Sequence, residues 1–109
     1  MFTKSDLKTN INQIEIPFEG RQLSLYPNPF SEQLTISTSI DKGGIVYVNV
    51  YDIMGRLVKT VCDSYLHPGQ HEFIWRGRDN IDNTANKGIY LISFIDKQKS
   101  ETRIVNFIK

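Results

Sequence analysis

The sequence has few of the features that tie small proteins to a disulfide, a membrane or a nucleic acid. Cys62 is its only cysteine, which excludes an internal disulfide. The longest apolar run, Ile89–Ile92, is far too short to cross a bilayer, and Met1–Asp6 lacks the apolar core of a secretory signal. The 13 basic and 12 acidic residues leave a formal net charge of +1, so nothing indicates a nucleic-acid partner.

Catalytic spacing is also missing. The sequence contains no glycine-rich phosphate loop, no paired-carboxylate site and no zinc-ligand spacing. Cys62, Asp63, His67 and His71 are the residue types of a thiol hydrolase, but their spacing does not place a base beside a nucleophile. We therefore predict that the domain is not an enzyme and has no catalytic residue and no cofactor.

An Asn- and Asp-rich run, Asp79–Asn83, leaves two interpretations open. Its oxygen atoms could bind a structural calcium ion, although Asp79 and Asp82 are three residues apart without a matching Glu. The alternative is a turn, in which Asp and Asn side chains bond the neighbouring backbone.

What the sequence does have is a period of two. Gln33–Ile40 and Ile45–Tyr51 alternate apolar and polar residues, as half-buried strands do, and Asp41–Gly44 between them predicts a hairpin tip. The same alternation places Tyr47 and Tyr51 on an outer face, either for cross-strand packing or as a ligand platform.

Similar short segments, separated by turns, continue to the end of the chain. Strands are predicted at 57–62, 71–75, 89–95 and 101–108, with a long loop at 76–87. Because 109 residues can build one core and no helix is predicted to cover a sheet, the chain is predicted to be all-β, an immunoglobulin-like antiparallel two-sheet sandwich of about seven strands. The predicted core residues are Leu34, Ile36, Val48, Val50, Phe73, Trp75, Tyr90 and Ile92.

The first 22 residues differ from the rest. Residues 1–22 mix charges with scattered isoleucines and have no sustained period, so we expect a linker or the tail of a preceding region, with a short edge strand at 14–18 as an option. The domain proper is expected at 23–109. It begins with Leu25–Phe30, where Pro27 and Pro29 enforce a stiff extended elbow.

Five motifs in a fixed order resemble the C-terminal sorting domain of the type IX secretion system. They are Leu25-Tyr26-Pro27-Asn28-Pro29-Phe30, Val50-Tyr51-Asp52-Ile53-Met54-Gly55-Arg56-Leu57-Val58, Pro68–His71 with Trp75–Asp79, Gly88–Ile92, and Arg103-Ile104-Val105. The resemblance covers about 23–109. It implies sorting-motif positions at Pro27, Asn28, Pro29, Tyr51, Asp52, Gly55, Arg56, Gly69, Trp75, Gly88, Tyr90, Arg103, Ile104 and Val105.

The resemblance also implies a function. In that family the domain is a non-catalytic signal that takes an N-terminal cargo from the periplasm through an outer-membrane translocon, after which a sortase-like attachment complex removes it. We therefore expect a secreted protein that ends at the cell surface or is released, with cleavage within 9–22. The alternative is an immunoglobulin-like accessory or carbohydrate-binding module, similar to the flagellar hook cap. An exposed terminal strand at 101–108 could add to the sheet edge of a receptor.

Overall fold

The structure is a computed structural model and describes residues 23–108. This part of the chain forms seven strands and no helix. The strands, in chain order, are β1 Leu23–Tyr26, β2 Leu34–Ile40, β3 Gly44–Asp52, β4 Leu57–Leu66, β5 Gly69–Trp75, β6 Gly88–Ile95 and β7 Ser100–Phe107. The predictions for 1–22, including the edge strand at 14–18, lie outside the described residues.

The strands form two antiparallel sheets packed face to face. One sheet has three strands in the order β1-β2-β5, and the other has four in the order β4-β3-β6-β7. β3 and β6 bury alternate side chains between the sheets because successive side chains of a strand point to opposite faces. The predicted all-β, immunoglobulin-like sandwich of seven strands is confirmed.

The hairpin predicted at Asp41–Gly44 is wrong. β2 and β3 follow one another in sequence, but β2 pairs with β1 and β5 whereas β3 pairs with β4 and β6. The segment is therefore a connection between the two sheets. Its turn residues allow either outcome, because the pairing partner of each strand is chosen by distant segments of the chain.

The strand at 57–62 extends further than predicted, to Leu66. Its apolar residues Leu57, Val58 and Val61 break the strict alternation, which is typical of an edge strand or a bulge, and both features are present. β4 forms one edge of the four-stranded sheet, and its register against β3 shifts between Val48 and Asn49 and again between Val50 and Tyr51.

The core lies between the sheets and consists almost entirely of apolar side chains. All of the predicted core residues are buried except Phe73, which is half-buried and packs against the core. The core also contains Leu23, Phe30, Phe94, Val105 and Phe107. At one end, Phe30 stacks on Phe107 with ring centroids 4.8 Å apart, and Trp75 lies 5.4 Å from Phe30 and 5.2 Å from Tyr90.

Candidate functional site: the motif end of the sandwich

Most of the predicted sorting-motif positions meet at one end of the sandwich, which we call the motif end. It consists of the elbow at 27–30, the turn Asp52–Arg56, the loop at 76–87 and the end of β7. Strand register brings them together, because Asp52 pairs with Tyr90, Tyr51 with Leu57, and Gly88 with Phe107. The opposite end carries the connection at 41–43 and the turns at 67–68 and 96–99.

The elbow is fastened to the terminal strand by a two-way side-chain contact. Asn28 donates from Nδ2 to the carbonyl of Ile104 at 3.2 Å, and its Oδ1 accepts the backbone N–H of Asn106 at 3.0 Å. Phe30 continues the pairing in the parallel sense, donating to the carbonyl of Asn106 and accepting from the N–H of Ile108. Tyr26-Pro27 and Asn28-Pro29 are both cis peptide bonds.

This fastening changes how the terminal strand can be recognised. β7 is an edge strand, as the edge-addition hypothesis requires, but Asn28 and Phe30 already occupy its outward hydrogen-bonding groups at Ile104 and Asn106. The C-terminal half of this edge is therefore capped within the domain, which is how folded sheets avoid unwanted pairing.

The Asp52–Arg56 turn is closed around one carboxylate. Oδ1 of Asp52 accepts the backbone N–H groups of Met54 at 2.9 Å and Arg56 at 3.0 Å, and Oδ2 accepts Nε of Arg56 at 2.9 Å. The backbone hydrogen bond to Arg56, with the other donors in this turn, holds the pKa of Asp52 below its usual value. Gly55 has a φ of 84°, a left-handed conformation that glycine adopts without strain.

Two aromatic side chains hold the loop at 76–87. Trp75 donates from Nε1 to the carbonyl of Arg78 at 2.8 Å, and the Tyr90 hydroxyl donates to the carbonyl of Asn86. This bond back to the main chain is the contact that a corner tyrosine makes in immunoglobulin-like sandwiches. Burial, and then the negative charge of Asp52, raise the pKa of Tyr90. A groove of about 360 Å³ runs between this loop and the Asp52–Arg56 turn.

The Asp79–Asn83 run forms a turn that also covers a sheet edge. Oδ1 of Asp79 accepts the N–H groups of Ile81 and Asn83, which is the local bonding that the turn interpretation requires. Asn80 donates its N–H to the carbonyl of Val58 and accepts the N–H of Thr60 on the edge strand β4. Among the described residues no group of three His, Cys, Asp or Glu is placed to hold a metal ion.

The thiol-hydrolase residue types are not assembled into a site. Cys62 is buried, and its Sγ lies 3.7 Å from both the Val46 carbonyl and the Ser64 hydroxyl. His71 instead contacts the carbonyl of His67 through Nε2 at 2.8 Å. The geometry shows no nucleophile beside a base within 23–108.

The motif positions divide into core and surface. Trp75, Tyr90 and Val105 are buried, whereas Ile104 projects outward with 61% of its surface exposed. Two positions lie away from the motif end. Gly69 begins β5 at the opposite end, and Arg103 donates from Nη1 to the carbonyl of Leu23 at 2.8 Å, joining the two sheets midway along β7. The exposed positions are Pro27, Asn28, Pro29, Gly55, Arg56, Gly69 and Ile104.

Two positions important for this end were not among the predicted site residues. Phe30 fills the core below the elbow. The sequence feature that could have identified it is an aromatic residue directly after Pro-Asn-Pro. Gly77 has a φ of 72°, and an added Cβ would lie 2.6 Å from the Phe107 ring. In the sequence, Gly77 could be noticed only as a glycine two residues after the predicted core residue Trp75. The close approach of Phe107 is visible only in three dimensions.

Comparison with known proteins matches this arrangement to a family. The family model described as the secretion system C-terminal sorting domain matches residues 24–108. The chain belongs to this family. The predicted resemblance to the type IX sorting domain is confirmed, and the domain is a C-terminal secretion signal, from a family of signals and not of enzymes.

Solved structures show the same fold. The chain is similar to part of dimeric latent PorU from Porphyromonas gingivalis, with a TM-score of 0.62 and 20% identity over 80% of this chain and 9% of that one. It is similar to part of PorZ, a surface component of the type-IX secretion system of P. gingivalis, with a TM-score of 0.58 and 21% identity over 80% of this chain and 11% of that one. FlgD from P. aeruginosa gives a TM-score of 0.53 and 21% identity over 80% of this chain and 72% of that one.

The sorting domain thus spans about a tenth of PorU and PorZ. No curated protein matches it. Within the described residues no helix is long and apolar enough to cross a membrane.

Proposed function

We propose that residues 23–109 are a folded sorting signal. A type IX outer-membrane translocon recognises this signal on a cargo that is joined to it through residues 1–22. The observation that carries this proposal is the convergence of the elbow, the Asp52–Arg56 turn and the β7 terminus on one end of a single sandwich. A receptor that handles unrelated cargoes needs a surface that folds independently of them, and this end supplies one.

The later fate of the domain belongs to the same proposal. A sortase-like attachment complex cleaves within 9–22, and the cargo passes from the periplasm to the cell surface or the medium. The domain itself supplies no catalytic residue, cofactor ligand or nucleic-acid contact to these steps. The start of β1 supports a boundary near Leu23, because Leu23 is buried and bonded to β7 through Arg103 and Glu101.

The test is delivery of a reporter. A fluorescent protein with a periplasmic signal peptide is fused ahead of the full 109-residue chain and expressed in a bacterium that has the type IX system. We expect the reporter at the cell surface or in the medium, separated from the domain. The same fusion in a strain without the translocon should remain in the periplasm. Equal release from both strains would refute the proposal, and glycan binding by an uncleaved fusion would favour the accessory-module alternative.

The motif end can be tested without destroying the core. Truncation of 103–109 would remove the buried Val105 and Phe107 and so would unfold the domain instead of testing recognition. Arg56→Ala is a better test of recognition than the truncation. Arg56 is exposed, and the Asp52 carboxylate keeps its bond to Met54 in this variant. We expect a folded domain with reduced delivery. Lys42→Ala is the matched control, because it also removes an exposed basic side chain but lies in the connection at the opposite end.

A further inference from the structure

Among the described residues, the most exposed large apolar side chains gather at the motif end. Ile81, Met54 and Ile53 expose 78%, 76% and 71% of their surface, and Ile104, near the end of β7, follows with 61%. At the opposite end the highest value is 55%, at Tyr65. Single exposed apolar residues need no explanation, but their concentration at one end of a domain is typical of an interaction surface.

These side chains stand on two separate projections. Ile53 and Met54 lie in the middle of the Asp52–Arg56 turn. Ile81 lies in the loop at 76–87, directly after the residue that bonds to the edge of β4. The groove of about 360 Å³ separates the turn from the loop. The apolar side chains are therefore presented on two tips with a groove between them.

Five basic side chains lie around the two projections. They are Arg56 and Lys87 beside the turn, and Lys59, Arg76 and Arg78 beside the loop. The first two line a depression of about 280 Å³ together with Ile53 and Met54. The segments at 52–59 and 76–87 hold these five and three acidic residues, a net charge of +2 that Glu32, bordering the loop, reduces to +1.

The acidic side chains of the two segments are engaged within the fold. Asp52 and Asp79 accept backbone N–H groups of their own turns. Asp52 also binds Nε of Arg56, whose side chain stays 77% exposed. Asp82 pairs with Arg78, with Oδ1 and Nε 3.9 Å apart. The tips are therefore bordered by basic groups that can reach outward, while two of the carboxylates are turned toward the backbone.

We propose that the motif end inserts its two apolar tips into a lipid surface that carries anionic headgroups, and that the surrounding lysine and arginine side chains contact those headgroups. Apolar side chains that enter a membrane interface beside basic side chains that remain at headgroup level are the usual composition of such a contact. This proposal goes beyond the sorting role and does not rest on it.

The geometry favours a lipid surface over a protein. A protein partner would have to fill the groove between the tips with a ridge of matching shape, whereas lipids rearrange around separate projections. A second copy of the chain is also disfavoured. In a symmetric dimer the same patch faces itself, so the basic side chains of one copy would meet those of the other.

The first test measures cosedimentation of the full 109-residue chain with vesicles. The vesicles consist of phosphatidylcholine, alone or mixed with phosphatidylglycerol. The tip variant combines Ile53→Ser and Met54→Ser, and the matched control combines Ile45→Ser and Ile95→Ser, two isoleucines exposed by 44% and 42% at the opposite end. Neither variant alters a sorting-motif position or a core residue, and circular dichroism should show both folded.

The unmodified chain should bind the mixed vesicles at least about tenfold more tightly than phosphatidylcholine alone. The tip variant should lose about tenfold or more in affinity, because two apolar side chains no longer leave water, and the control should bind as the unmodified chain does. Absence of binding by the unmodified chain, or equal binding by the two variants, would overturn the proposal. So would a dimer that forms without vesicles and disappears in the tip variant.

A second test separates charge from apolar contact. Lys87→Glu reverses an exposed charge beside the turn, and Lys97→Glu makes the same change at the opposite end. Lys87→Glu should weaken binding to the mixed vesicles by about fivefold or more, and Lys97→Glu should have a smaller effect. Added salt should reduce the difference, because it screens exposed charges. Equal effects of the two reversals would show that only the total charge matters and would overturn the assigned contact.

Insertion is measured with a fluorophore attached at Met54→Cys or, as a control, at Ile95→Cys. Cys62 is buried, so the introduced thiol is the one that reacts readily. Lipids with a nitroxide at the start of the acyl chain should quench the label at position 54 and leave the label at 95 nearly unquenched. Equal quenching at both positions, or none at 54, would contradict insertion.

These outcomes are independent of the proposed function. The vesicle measurements need no secretion system, so their failure would leave the sorting role standing. Failure of the reporter to be delivered would overturn the sorting role and leave the lipid contact in place.

Discussion

Phe30→Ala should test whether the elbow is a structural part of the sandwich. Phe30 is 1% exposed and touches both Phe107 and Trp75. Burial of a phenylalanine contributes about 1.5–3 kcal/mol, and aromatic pairs add about 0.5–1.5 kcal/mol each. With the cavity left behind, the expected loss in free energy of unfolding is about 3–5 kcal/mol. That is a large part of the roughly 5–15 kcal/mol that stabilises a domain of this size.

The assay is thermal and urea unfolding of the 109-residue chain, followed by circular dichroism. At roughly 4–8 °C per kcal/mol, the melting temperature should fall by at least about 12 °C. Ile53→Ala, an exposed residue of the neighbouring turn, is the control and should change stability by less than about 0.5 kcal/mol. A loss below about 1 kcal/mol for Phe30→Ala would refute the idea that the elbow is anchored in the core.

Three further changes test the bonds of the motif end. Asn28→Ala removes two hydrogen bonds to β7 and should cost about 1–2 kcal/mol, with faster amide exchange at Asn106. Asp52→Asn should reduce the loss in free energy of unfolding that acidification causes. The lowered pKa of Asp52 contributes stability that is present above its ordinary value near 3.9 and is lost as the pH falls through the folded value. Tyr90→Phe should cost about 1 kcal/mol at neutral pH by removing the bond to Asn86. It should also abolish an alkaline loss, because the raised pKa of Tyr90 gives stability that is complete below about pH 10 and disappears above it.

Each of these changes has a contradicting result. Asn28→Asp keeps the acceptor for Asn106 but not the donor to Ile104, so it should fall between the unmodified chain and Asn28→Ala; an order that places it elsewhere would argue against the two-way contact. Identical acid unfolding of Asp52→Asn and the unmodified chain would show that the turn carboxylate does not contribute. For Tyr90→Phe, the contradicting result is an unchanged loss between pH 9 and 11.

Local pattern predicted most of the strands because burial between two sheets imposes a period of two on each one. The strand at 34–40 and the late strand at 88–95 were predicted nearly to their ends. Prediction failed at Asp41–Gly44, where the same turn residues suit a hairpin and a connection between sheets. Gly77 was missed for a related reason. The need for glycine at this position arises from contact with Phe107, thirty positions away in sequence.

The motif turn shows where local chemistry suffices. Asp52, Gly55 and Arg56 interact within five residues, so their spacing alone encodes the closed loop. Asn28 is the opposite case, because its partners Ile104 and Asn106 lie more than seventy residues away in sequence. No pattern around the elbow indicates that its side chain caps the terminal strand.

The sequence by itself determined the all-β class, the outward or inward direction of most side chains, and the family, because these depend on residue order and a fixed backbone period. Only the tertiary structure decided that strands neighbouring in sequence belong to different sheets and that the elbow caps β7. Those features depend on pairing between distant segments, and that pairing is set by the packing of the whole core.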